Sequence, residues 1–253
     1  MVNVINFDVK SVSKSCGKNN ASFQIIKVND VYQEIFIISG GCSGDPVFLE
    51  KKIRKTKKTY IVCCDKGAHH LKRLAMMPDV IIGDLDSIDQ RTLKHYEKQN
   101  VRVIRYASEK DYTDTELALS YALQLKPKRI SIFCALGGRI DHTLANIYLL
   151  TKGFDTGIDT FLVDEYCEAF IVNQKCSFIK ETGKTLSLFA LTPRVTGITL
   201  AGFHYPLENG VLKMGESRGI SNRINQSRAG IVIKKGKLLV IKYHQKDFFP
   251  EAR

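Results

Sequence analysis

The acids of this chain gather in short clusters that follow apolar runs. Asp65 follows YIVCC (60–64), and Asp84 and Asp86 follow DVII (79–82) in the segment GDLDS. Asp111 and Asp114 sit in EKDYTD, and Asp141 sits in GGRIDH, after RISIFCAL (129–136). In an open parallel sheet, ligands bind outside the carboxyl ends of the strands. Four segments therefore direct carboxylates toward one rim. Mg²⁺ takes hard oxygen ligands, usually a few carboxylates plus substrate phosphates, so the pattern suits Mg²⁺ with a nucleoside triphosphate. Each acid also has an ordinary reading. G-D-x-D-S forms turns, with the Asp side chain bonding nearby backbone. Asp114 falls in the first turn of a capped helix, where the dipole favours an acid, and is read as structural. Asp111 lies outside that helix. The coincidence of acids at several strand ends is what points to a site.

GGRIDH adds a second kind of chemistry. Gly137 and Gly138, between a buried strand and a helix, allow backbone to approach a ligand, and the helix N-terminus offers N–H groups to an anion. Arg139 brings a planar fork suited to phosphate oxygens. Gly40–Gly41 closes an earlier apolar run in the same way. The segment is not G-x-x-x-x-G-K-[ST], and G-x-G-x-x-G is absent, which sets aside a P-loop and a dinucleotide fingerprint. His142 reads as a general base or, more commonly, as a helix-cap residue. His69, His70 and His204 have no partner at metal-ligand spacing and receive no role. No cysteine–histidine nucleophile pattern and no G-x-S-x-G elbow is present.

These side chains need a frame. Residues 34–41, 59–64, 79–82, 101–104 and 129–136 are short, β-branched apolar runs. Helical stretches alternate with them: Pro46 onward, 68–74, 90–99, the capped helix behind Thr113 and Glu116, and the helix after GGRIDH with Leu144, Ile147 and Tyr148 on one face. T-x-x-E at Thr113–Glu116 is a capping box. Strands alternating with helices predict crossover units and a mostly parallel sheet covered on both faces. After about residue 165 the texture changes to closely spaced strand-like runs punctuated by Gly, Pro or Asn, with no long helical period. That predicts an antiparallel β sandwich or barrel-like domain. The expected division is an N-terminal extension (1–30), an α/β nucleotide-binding domain (31–165) and an antiparallel β domain (166–253).

Composition limits the alternatives. The 253 residues are 44% hydrophobic and 25% charged, ordinary for a globular chain. No run of eighteen apolar residues occurs, and residues 1–20 have no apolar core followed by a small-residue cleavage site. No membrane association or secretion is expected. Seven cysteines, an odd number with no C-x-x-C pair, argue against a disulfide framework or structural zinc and for a cytoplasmic protein with reduced thiols. The net charge of +12 admits nucleic acid as a partner. Yet the densest run, KKIRKTKK (51–58), has no interleaved aromatics and reads as a solvated helix end. A nucleic-acid module would also leave the acids at the rim unexplained, since they repel a phosphate backbone.

In their order and spacing, CDKGA (64–68), IIGDLDSID (81–89), EKDYTDTELAL (109–119), LGGRIDHTLANIYLL (136–150), TLAGFHYPL (199–207) and GISNRI (219–224) resemble the thiamine pyrophosphokinase family. The resemblance implies an α/β domain followed by a β domain, a homodimer, and transfer of pyrophosphate from ATP to thiamine with Mg²⁺, giving thiamine diphosphate and AMP. It implies catalytic roles for Asp65, Asp84, Asp86 and Asp111, with Mg²⁺ on Asp84, Asp86 and Asp111, and it makes Asp111 the group that meets the thiamine hydroxyl. It implies that Lys110, Gly137, Gly138, Arg139 and Asp141 contact ATP phosphates. Thiamine would be held by Tyr205, stacking on its cationic thiazolium, and by Ser221 and Asn222 at the aminopyrimidine, this half-site coming from the partner subunit. Lys66 stands where many members have glycine, Tyr205 replaces a frequent Trp, and GFHY departs from the usual GLKY or GLKW. The rival on the same scaffold is a pyrophosphokinase for another small alcohol, such as a hydroxymethylpterin, since fold does not fix substrate.

Overall fold

The structure, a computed structural model, describes residues 32–246; the expected N-terminal extension lies outside them. Fourteen strands and five helices follow one another as β1 (Glu34–Ile38), α1 (Pro46–Lys55), β2 (Thr59–Cys64), α2 (Gly67–Arg73), β3 (Val80–Gly83), α3 (Gln90–Lys98), β4 (Arg102–Arg105), α4 (Asp114–Gln124), β5 (Arg129–Phe133), α5 (Ile140–Thr156), β6 (Asp159–Val163), β7 (Cys167–Val172), β8 (Lys175–Ile179), β9 (Lys184–Ala190), β10 (Arg194–Ala201), β11 (Leu207–Lys213), β12 (Asn222–Arg223), β13 (Arg228–Val232) and β14 (Leu238–Lys246).

The first six strands are parallel, in the order β6-β5-β1-β2-β3-β4. Their side chains alternate between two cores. Ile35, Ile37, Val62, Ile82, Ile130 and Ile132 pack under α4 and α5. Phe36, Ile38, Ile61, Cys63, Ile81 and Phe133 face α1, α2 and α3. A strand covered on both faces is apolar along most of its length, which is why these runs carry few polar residues; Ser131, buried in β5, bonds Glu34. From β1 the chain winds outward through β2, β3 and β4, then returns to place β5 on the other side of β1. The crevice between β1 and β5 is thus the topological switch point, where the connections diverge.

Helix ends follow local chemistry. Asp45 caps α1 by accepting from the Val47 amide at 2.9 Å, with Pro46 in the first turn. Asp89 caps α3 through the Thr92 amide at 2.8 Å. Thr113 Oγ1 accepts from the Glu116 amide at 3.2 Å, as its capping box predicts. Glu116 does not reach back to Thr113. It binds Lys152 of α5 at 2.5 Å instead and so ties two helices together.

The second half is antiparallel, but it does not form a detached unit. β7, β14, β9 and β12 extend the first sheet beyond β6 into one ten-stranded sheet, and β11-β10-β13-β8 form a second sheet facing it. Leu186, Leu188, Val240, Val195, Ile198 and Ile231 fill the space between them. The texture break near residue 165 is the switch from parallel to antiparallel pairing at β6–β7, and the backbone ladder runs through it.

Candidate active site

The C-terminal ends of β1, β2 and β5, together with the starts of α4 and α5, surround a cleft of about 500 Å³ at the switch point. Its lining includes Gly40, Gly41, Asp65, Asp114, Gly138 and Arg139.

Asp65 stands at the end of β2 with a left-handed backbone (φ 31°), a conformation that costs a non-glycine residue energy. Its amide is held by the Ile82 carbonyl at 3.1 Å, and its Oδ2 accepts from the Ser87 amide at 3.1 Å. The residue is only 4% exposed, and Oδ1 is buried without a partner. Burial pushes its carboxyl above the usual range, the Ser87 contacts offset part of this, and the neighbouring Asp114 and Asp84 add to the rise. Oxygens of Asp65, Asp84 and Asp114 lie within 4.8 Å of one another.

Lys110 sits among them, with Nζ 2.8 Å from Asp84 Oδ2 and 2.9 Å from Asp114 Oδ1. Its hydrogen bond holds the Asp84 carboxyl below the ordinary value. Burial opposes the charge on Lys110, but the two carboxylates outweigh it and raise its pKa. One ammonium cannot neutralise three carboxylates. The donor set and the orphaned Asp65 oxygen therefore fit a hard divalent cation.

The gathered trio differs from the set expected for the metal. Asp114, read from sequence as a helix-dipole acid, is in the cluster. Asp86 and Asp111 are exposed outside it, and Asp86 bonds Ser87 Oγ at 2.8 Å within its own turn. The reason is rotational: the first turn of α4 carries Asp114 inward and leaves Asp111 in the preceding loop. Lys110 is likewise spent on carboxylates rather than left free. At the other rim Arg139 and Asp141 form a two-pronged, exposed ion pair, and Arg139 brings the Asp141 carboxyl down to about 2. Gly137 and Gly138 have left-handed backbones (φ 80° and 70°) with nothing near the missing Cβ, as a turn open to a ligand requires. Asn146, missed from sequence, is buried in the cleft wall and donates to the Ala135 carbonyl at 2.8 Å. It lies within the motif LGGRIDHTLANIYLL, but nothing in the residue's spacing assigns it a role.

The expected thiamine residues lie in the antiparallel half, around a small cavity of about 120 Å³ lined by Leu188, Tyr205, Leu212, Gly219, Ile220 and Asn222. Tyr205 is 63% exposed, with His204 edge-on at 4.5 Å. Ser221 is exposed and held by its amide to Ser187 Oγ at 3.1 Å. Asn222 anchors the neighbouring backbone. It is buried, its Oδ1 accepts from the Tyr205 and Arg223 amides at 3.0 and 2.8 Å, and its Nδ2 donates to the Tyr205 carbonyl at 2.8 Å. Its carboxamide holds the Tyr205 loop. Asn222→Ala is expected to cost about 1–3 kcal/mol, seen as a fall of roughly 2–10 °C in Tm. An unchanged melting curve would remove this role. No residue lines both this cavity and the acidic cleft.

Fold and site define a class: an α/β sheet with an acid- and glycine-lined crevice at its switch point, continued into a two-sheet antiparallel lobe. The family model described as thiamin pyrophosphokinase, catalytic domain, matches residues 52–162, and the one described as thiamin pyrophosphokinase, vitamin B1 binding domain, matches residues 172–238. The thiamine pyrophosphokinase of Bacillus subtilis is 36% identical over 180 residues, covering 70% of this chain and 84% of that protein. A crystal structure of thiamine pyrophosphokinase from the same organism superposes with a TM-score of 0.75 at 31% identity, over 83% of this chain and 98% of that one. The Candida albicans enzyme, 20% identical with a TM-score of 0.71 over 84% and 89% of the two chains, shares the fold. The chain belongs to the thiamine pyrophosphokinase family.

Proposed function

We propose that this protein is a thiamine diphosphokinase, transferring the terminal diphosphate of ATP to the primary hydroxyl of thiamine. A bond forms between that oxygen and the β-phosphorus, the bond from the β-phosphorus to the α,β-bridging oxygen breaks, and AMP leaves with the bridging oxygen. The observation that carries the reading is the trio Asp65, Asp84 and Asp114, with an unpaired oxygen and the Lys110 ammonium between the carboxylates, at the switch point of a chain of this family. These carboxylates would hold Mg²⁺, and Asp86 and Asp111 at the rim face the incoming substrates. When bound, the ion neutralises charge on the phosphate oxygens.

The remaining work falls to side chains of this chain. The glycine turns at Gly40–Gly41 and Gly137–Gly138 border the phosphates, with Lys110, Arg139 and Asp141 beside them. Asp111 accepts the hydroxyl proton or orients the hydroxyl. Tyr205 and Ser221 receive thiamine, and Asn222 fixes the Tyr205 loop. Positioning and charge neutralisation dominate such a transfer. Residues 31–165 supply the nucleotide half and residues 166–253 the thiamine half.

The active form is a homodimer in which one subunit's cleft faces the thiamine pocket of the other. Two features support this. The halves of the site line separate cavities within one chain, and α5 exposes Ile140, Leu144 and Tyr148, a stripe at four-residue spacing led by an 83% exposed isoleucine. Among the described residues no helix is long and apolar enough to cross a membrane. The reading places the protein in the cytoplasm, with its thiols reduced and neither nucleic acid nor membrane as a partner.

The test is a product assay. Purified protein with thiamine, ATP and Mg²⁺ is expected to yield one AMP per thiamine diphosphate, with product lost on adding EDTA. ADP with thiamine monophosphate would overturn the transfer chemistry. Turnover of a hydroxymethylpterin in place of thiamine would select the rival substrate.

A further inference from the structure

His70 of α2 has no place in the chemistry described so far, yet it touches the nucleotide cleft. Its Nε2 lies 2.9 Å from the carbonyl oxygen of Gly41. A carbonyl only accepts, so Nε2 carries the proton and Nδ1 the lone pair. Nδ1 is buried and has no hydrogen-bond partner among the described residues. Burial lowers the pKa of the ring, and Arg73, His69 and Lys66 lower it further against the opposing Gly41 hydrogen bond. The ring is therefore neutral near pH 7.

The loop that His70 grips is pinned on its other sides. The Ser39 amide donates to Phe133 O and the Gly41 amide to Cys134 O, both at 2.9 Å, and Ser39 Oγ meets Thr115 Oγ1 at 2.7 Å. Gly41 packs so closely on β5 that a Cβ would lie 2.4 Å from Cys134 O. Among the described residues neither the Gly40 amide nor the Cys42 amide has a backbone acceptor, and both residues line the cleft. Free amides beside an anion site are useful, whereas a carbonyl aimed at phosphate oxygens is repulsive.

We infer that His70 is a positioning residue for the nucleotide. Its Nε2–H draws the Gly41 carbonyl onto α2 and holds the Gly40–Cys42 turn with its amides toward the phosphates. This rests on the nucleotide reading of the cleft. His70 does not touch the reacting atoms, so its effect falls on ATP rather than on thiamine or on the transfer step.

The experiment compares wild type, His70→Ala and His70→Gln by steady-state kinetics in both substrates, with ATP titration and melting curves alongside. Gln places a donor near the position of Nε2. His70→Ala is expected to raise KM for ATP about tenfold, the scale of one lost hydrogen bond. It is expected to leave kcat and KM for thiamine within about threefold, with His70→Gln returning KM for ATP to within about threefold of wild type. Should His70→Ala fail to fold, His70→Asn, whose amide ends short of Gly41, takes its place. An unchanged KM for ATP, an equal rise in both KM values, or a folded Gln variant as impaired as the Ala variant overturns the assignment of His70 alone. Wild-type protein that binds no ATP overturns the nucleotide reading and this inference with it.

Discussion

Asp84→Asn is expected to lower kcat/KM at least about a thousandfold, or about 4 kcal/mol of transition-state stabilisation. Asp84 is the carboxylate on which both arrangements converge. It lies within the trio with Asp65 and Asp114, and it begins the GDLDS turn that carries Asp86. The substitution removes a charged oxygen donor and frees Lys110 from its 2.8 Å contact. Two readouts separate the roles. Titration with Mn²⁺ as a paramagnetic probe is expected to show weakened binding for Asp84→Asn and Asp114→Asn. Asp111→Asn is expected to keep its metal affinity and lose kcat, since the proposed mechanism puts Asp111 at the hydroxyl. Retention of more than a tenth of the activity by a folded Asp84→Asn variant would refute the metal assignment.

Most of the frame was legible because its signals are local. β1, β2, β3 and β5 are built around apolar, largely β-branched runs, as a strand covered on both faces requires, and Thr113 and Pro46 mark the starts of their helices. Which strands are neighbours is not a local property. The placement of β5 beside β1 rather than beyond β4 decides where the crevice opens, and no short segment encodes it. The same limit applies to the continuous sheet: the change from helix-rich to strand-rich texture marks where the antiparallel half begins, but that β7 pairs directly with β6 is not a local property. In the site, the acidic segments were visible by type and position. The rotation of α4 was not, so Asp114 had a sufficient explanation as a helix-dipole acid and its inward side chain went unread. Asn222 shows the converse. The family resemblance assigns Ser221 and Asn222 to a ligand, and only the fold shows that the Asn222 amide makes two hydrogen bonds to the Tyr205 backbone and one to the Arg223 amide. His70 and Asn146 act through partners distant in sequence, Gly41 and Ala135; His70 lies outside every motif, and Asn146 lies within LGGRIDHTLANIYLL at a position to which the sequence attaches no role.

Mixing two crippled variants is expected to restore activity that neither has alone. Asp84→Asn spoils the acidic cleft. Tyr205→Arg places a cation where the thiazolium should stack, and at low thiamine it is expected to be nearly silent. In a homodimer with sites shared across the interface, half of randomly mixed dimers are heterodimers. Each of these pairs an intact cleft with an intact thiamine pocket at one of its two sites. Recovery to about a quarter of wild-type activity follows from this symmetry. Sites completed within one chain would give no recovery, because every chain in the mixture carries a defect. A third protein locates the contact. Leu144→Glu, on the exposed stripe of α5, is expected to shift the protein toward monomer in sedimentation and to lose activity with its own acidic cluster unaltered. The outcome depends on the stripe lying outside the core: Leu149 and Leu150 of the same helix are buried, whereas Leu144 and Tyr148 are about half exposed. An apolar row on the solvent side of a helix whose first turn borders the cleft has a physical use once a second subunit covers it and brings Tyr205 to the acids.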